Sequence, residues 1–99
     1  MKKIIGIQGD IVVTRVDSIP EKAKKREGKV LVYGESTGHL HQIKDGEVYE
    51  IGNRLFFNTS FPTEIIHDEH NPIPVEKGSY EILRQREYTN KDAVRLVVD

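Results

Sequence analysis

Apolar residues along this chain fall in short runs with a period near two, not in the three-and-four spacing of an amphipathic helix. Ile11-Val12-Val13-Thr14-Arg15-Val16 is β-branched and follows the turn-forming pair Gly9-Asp10, so it predicts a strand that stops at Asp17-Ser18-Ile19-Pro20. Segments 29–33, 39–43, 49–51, 54–56 and 63–67 carry the same β character. Between them, Asp45-Gly46 and Gly52-Asn53 have the chemistry of two-residue hairpin turns, whose central positions need φ > 0. Together they predict a three-strand meander running from His39 to Phe56. Asn71-Pro72-Ile73-Pro74 excludes a central strand or a helix, because proline fixes φ and cannot donate to a ladder. Segment 79–88 predicts a long strand and Ala93-Val94-Arg95-Leu96-Val97-Val98 a last one. Segment 21–28 holds Ala23 as its one apolar residue and reads as a solvated loop. Short strands separated by turn signals predict an all-β chain, a small barrel or sandwich.

Composition narrows this picture. At 99 residues the chain is expected to form a single domain, 1–99, and with 36% hydrophobic against 31% charged residues its core must be thin. Self-association would add buried area, so a homo-oligomer is an expectation. The formal net charge of -1 supplies no overall field for nucleic acid or an anionic membrane. No apolar run is long enough for a signal-peptide core or a membrane span, which makes a cytoplasmic location the default expectation. The chain has no cysteine, so disulfides and thiolate ligands are excluded and histidine and carboxylate are the strong metal donors left.

The four histidines form two pairs, His39-x-His41 and His67-x-x-His70, with Asp68 and Glu69 inside the second. On a strand, residues i and i+2 face the same way, so His39 and His41 can offer two imidazoles to one ion while Leu40 packs opposite. His67 and His70 converge only across a turn, which Pro72 favours. A chelating surface patch or a hydrogen-bonded histidine cluster is the plainer alternative. Complete segregation into two pairs weighs toward a divalent metal site on His39, His41, His67 and His70; zinc, copper, nickel, manganese and iron(II) all fit such donors.

In segment 80–88 alternation fails from Arg84 onward, with Arg84, Arg86 and Tyr88 on one face and Gln85 and Glu87 on the other. Either this is an edge strand guarded by charge, or Arg84, Arg86 and Tyr88 line a site for a small anionic ligand, to which arginine's planar fork is suited. The basic run Lys22, Lys24, Lys25, Arg26 is flanked by Glu21 and Glu27 without aromatic interleaving, which argues for a solvated loop over a nucleic-acid contact. Gly34 to Gly38 lacks the lysine of a phosphate-binding loop.

Taken in order, Gln8-Gly9-Asp10, Gly34-Glu35-Ser36-Thr37-Gly38-His39-Leu40-His41, His67-Asp68-Glu69-His70-Asn71-Pro72-Ile73, Gly78-Ser79-Tyr80 and Gln85-Arg86-Glu87-Tyr88 resemble an uncharacterised family of small bacterial and phage-associated proteins. The resemblance covers nearly the whole chain and implies that these residues act together, without supplying a reaction. More loosely, Gly38-His39-x-His41 followed by Glu47 and Gly52 is similar to the first motif of the cupins, metal-binding β-barrels. Glu47 stands further from His41 than the cupin pattern places its glutamate, and Pro72, Pro74 and Gly78 follow the second histidine pair instead of preceding it.

Three functional expectations result. The first is a metal-binding β domain in which Glu69 or Glu35 would serve as general base if the ion activates water. The second is a non-enzymatic assembly or accessory protein, phage-related, using the polar motifs as subunit contacts. The third is local nucleic-acid binding through the basic residues.

Overall fold

The computed structural model describes residues 3–33 and 39–84. Its elements are all strands: β1 (Lys3–Gln8), β2 (Ile11–Val16), β3 (Lys24–Arg26), β4 (Val30–Tyr33), β5 (Leu40–Ile43), β6 (Glu47–Ile51), β7 (Arg54–Thr59), β8 (Thr63–Ile66), β9 (Ile73–Val75) and β10 (Gly78–Arg84). They build a six-stranded sheet ordered β1-β2-β10-β7-β6-β3 and a four-stranded sheet ordered β4-β5-β8-β9, antiparallel throughout.

The two sheets enclose one core. Alternation aims Ile11, Val13, Val48, Phe57, Tyr80 and Ile82 from the larger sheet at Val32, Ile43, Ile65, Ile73 and Val75 from the smaller one. Phe57 and Tyr80 stack across the β7–β10 ladder with ring centroids 4.8 Å apart. Edge strands β1 and β9 pass close enough that a Cβ on Gly6 would stand 3.3 Å from Ile73 Cγ2. No ladder joins the two sheets among the described residues, so the all-β expectation stands while a closed barrel does not form.

Three expectations need correction. Gly52-Asn53 does join a hairpin, β6 to β7, with Ile51 paired to Arg54 and Gly52 at φ 59°. Asp45-Gly46 does not: β5 and β6 lie in different sheets, and the turn carries the chain across the core. Ile43 and Val48, on either side of it, are both fully buried in that core, which drives the crossing more strongly than a local turn preference drives pairing. Gly46 is needed there for a second reason, since a Cβ would lie 2.5 Å from the carbonyl oxygen of Asn58.

The basic run is not a loop. Lys24–Arg26 pairs with β6 as an edge strand, Lys25 reaching Glu47 at 3.1 Å and Arg26 reaching Glu50 at 3.4 Å. Nor is β10 an edge; it lies between β2 and β7. Its one buried charge, Glu81, is held by Arg54 through Nε at 3.0 Å and Nη2 at 3.3 Å, which lets a carboxylate occupy an interior strand. Lastly, β1 is a strand that the period of the N-terminal residues did not announce. Glu35, Arg86, Tyr88 and segment 93–98 lie outside the described residues.

Candidate functional site

Inward-facing positions stop being apolar at one end of the smaller sheet. On β5 the buried face runs from Ile43 to His41, and on β8 from Ile65 toward His67. The β5–β8 ladder pairs Ile43 with Ile65 and Gln42 with Ile66. Continued by one step, this register sets His41 opposite His67, and by two further steps His39 opposite Glu69. The side chains agree: the His41 and His67 rings lie 4.4 Å apart, and His39 Nδ1 is 3.3 Å from Glu69 Oε1. His70 follows from the turn before Pro72, its ring 4.6 Å from that of His67, and His39 lies edge-on to His67 at 5.7 Å. All four imidazoles therefore meet in one patch, although one pair comes from the start of β5 and the other from the segment between β8 and β9.

The opposite wall comes from the β1–β2 turn, Gln8-Gly9-Asp10, which the sequence analysis did not place among the site residues. Gln8 is buried and its amide is fully committed. Nε2 donates to the carbonyl oxygens of Ile65 at 3.1 Å and Asn71 at 2.9 Å, while Oε1 stands 2.9 Å from His41 Nδ1. Gly9, at φ 58°, lets the turn lie flat against the rings; a Cβ there would stand 3.1 Å from His70 Nε2 and 3.3 Å from His41 Cε1. Asp10 Oδ1 lies 3.4 Å from His41 Nε2, and Asp10 Oδ2 accepts from Arg84 Nη1 at 3.1 Å. The signal available in the sequence was the standing of Gln8-Gly9-Asp10 among the ordered motifs of the resemblance.

Burial holds the His41 imidazole below its usual range. The nearby His67 pushes the same way, and the Asp10 carboxylate opposes both. The neutral ring is the form this pocket favours.

His67 is differently engaged, because its Nδ1 accepts the Glu69 backbone N–H at 3.0 Å. In the neutral ring the proton then sits on Nε2, so His67 must turn before it can coordinate through either nitrogen. Among the described residues no group of three or more histidine, aspartate or glutamate side chains is already arranged to hold a metal ion.

Arg84 also borders a cleft of about 300 Å³ at the mouth between the sheets, floored by Leu31, Val32, Leu55 and Ile82. Arg26 and Arg54 stand on its rim. Each of the three arginines faces a carboxylate: Arg26 with Glu50, Arg54 with Glu81, Arg84 with Asp10. Glu47, the cupin-like glutamate, is in the other sheet and bonded by Lys25 and Tyr49.

Residues 7–85 match the profile of a family described as a domain of unknown function, DUF8820. The chain belongs to that family. The match takes in Gln8, Asp10, all four histidines and Arg84, so the whole site lies within the family's domain. A search of the curated proteins and a search of the solved structures gave no match.

Proposed function

We propose that this domain binds one divalent metal ion at the histidine cluster, with His41 as its fixed donor and His39, His67 and His70 as donors that turn toward the ion when it binds. The observation that carries this reading is the cross-strand register. It sets His41 against His67 where two inward faces leave the core, and four imidazoles come into ring contact there.

Gln8 supplies a further reason. Metal-ligating imidazoles characteristically give their other ring nitrogen to an oxygen acceptor that fixes tautomer and orientation, and Gln8 Oε1 occupies that place on His41. Arg84, which donates to the Asp10 carboxylate, then acts on the site through Asp10. Should the ion activate water, Glu69 is the described carboxylate beside the cluster.

Protein prepared without a histidine tag and titrated with zinc should take up one ion per chain. His41→Ala and His70→Ala should each abolish stoichiometric binding while circular dichroism keeps its β signature. Full zinc content in either variant would contradict a single shared site.

A further inference from the structure

We infer that Asp10 is a metal ligand in its own right, and that His41 and Asp10 form the preset half of a mixed nitrogen and oxygen site locked by Gln8. This rests on the metal-binding reading above and adds to it a donor from the opposite sheet. Two carbonyl oxygens, those of Ile65 and Asn71, fix which end of the Gln8 amide is NH2, because turning it over would set Oε1 against both of them. Oε1 must therefore face His41 Nδ1, and at 2.9 Å it can only accept from an Nδ1–H. The neutral His41 ring thus carries its proton on Nδ1, and Nε2 presents a bare lone pair.

That lone pair faces a carboxylate. His41 Nε2 and Asp10 Oδ1 are both acceptors, 3.4 Å apart, with His41 only 2% exposed. Asp10 is half exposed, but two acceptors aimed at each other beside a buried ring still repel unless something positive lies between them. A proton on Nε2 is one answer, but a charge-assisted N–H···O bond closes to about 2.7–2.9 Å. The wider gap fits a cation: two ligands held at about 2.0–2.1 Å from a tetrahedral ion stand about 3.4 Å apart. Arg84 holds the second Asp10 oxygen at 3.1 Å, leaving Oδ1 directed at His41. Gly9, without a side chain, lets the His70 and His41 rings both come close to this turn; a Cβ there would stand 3.1 Å from His70 Nε2 and 3.3 Å from His41 Cε1. A carboxylate with imidazoles selects a borderline or hard divalent ion, zinc, manganese or iron(II), over copper(I).

The test is zinc affinity of the full chain by competition with a chromophoric chelator, together with the visible spectrum of the cobalt(II) form. Asp10→Asn is isosteric at a half-exposed turn and leaves the fold intact. It should weaken zinc at least about 10-fold and change the cobalt bands, and Gln8→Met should weaken zinc about 10- to 100-fold by freeing the His41 ring. Asp10→Glu should recover part of the loss. Wild-type zinc affinity and an unchanged cobalt spectrum in Asp10→Asn would overturn the inference while the histidine reading survived. Absence of any zinc binding by the wild-type chain would overturn that reading first. If Gln8→Met does not fold, the Asp10 variants decide alone.

Discussion

At His41 the ring is clamped from both sides, Gln8 Oε1 on Nδ1 and Asp10 beyond Nε2, and its position in an inward-facing row leaves it no solvent to compensate. This makes its tautomer a measurable consequence of the fold. In chelator-treated protein at neutral pH, long-range 1H–15N correlation should find the His41 proton on Nδ1; a proton on Nε2, or on both nitrogens, would contradict the hydrogen-bond assignment. Gly9 carries a second prediction. Its φ of 58° costs a residue with a Cβ about 1–2 kcal/mol, and the new methyl would meet His70 and His41. Gly9→Ala should lower the melting temperature by several degrees and weaken metal uptake, whereas Gly52→Ala, at φ 59° with open space around it, should show the thermal loss alone.

Among the elements, β10 is the structural spine, paired to β2 on one side and β7 on the other and delivering Arg84 to the site at its end. Phe57 on β7 is fully buried and stacks on Tyr80. Truncation to Phe57→Ala should therefore cost about 3–5 kcal/mol in chemical denaturation, a large share of the stability of a small domain, and a loss below about 1 kcal/mol would mean that the core is not built on this ladder. What the sequence revealed at this scale follows from how local each signal is. The Gly52-Asn53 hairpin was legible because the turn and both strands are contiguous, and the common face of His39 and His41 because strand alternation needs only neighbours. The crossing at Asp45-Gly46 was not, since a turn dipeptide looks the same whether the strands beside it pair or part into two sheets. For β3 the reason differs: a charged edge strand has no buried face to give it a pattern, and Lys25 and Arg26 are held by Glu47 and Glu50 from a strand more than twenty residues away. Gln8 and Asp10 escaped notice because their roles arise from contacts between the two sheets, with Gln8 reaching Ile65 across 57 residues of chain.

For the molecule as a whole, a titratable ring near the end of the core ties stability to pH and to metal. The folded His41 binds its proton more weakly than the unfolded chain does, with a reference value of 6.5. Below about that pH the unfolded state takes up more protons than the folded one, so stability falls as pH falls, and above it this contribution is fully present. Denaturant titrations of the metal-free protein should show that decline, and it should be shallower in His41→Gln; equal slopes would remove His41 as its source. Because an ion bound only by the folded chain stabilises it by mass action, zinc at about 100 times its dissociation constant should add about 2.7 kcal/mol. The central claim, that the histidines of β5 and the β8–β9 turn share one ion, is met most directly by anomalous diffraction at the zinc edge from crystals of untagged protein grown with zinc. One strong peak per chain is expected within about 2.0–2.1 Å of His41 Nε2 and of at least one imidazole from His67 or His70. A well-folded chain with no peak there, or with zinc bound only elsewhere on the surface, would contradict it.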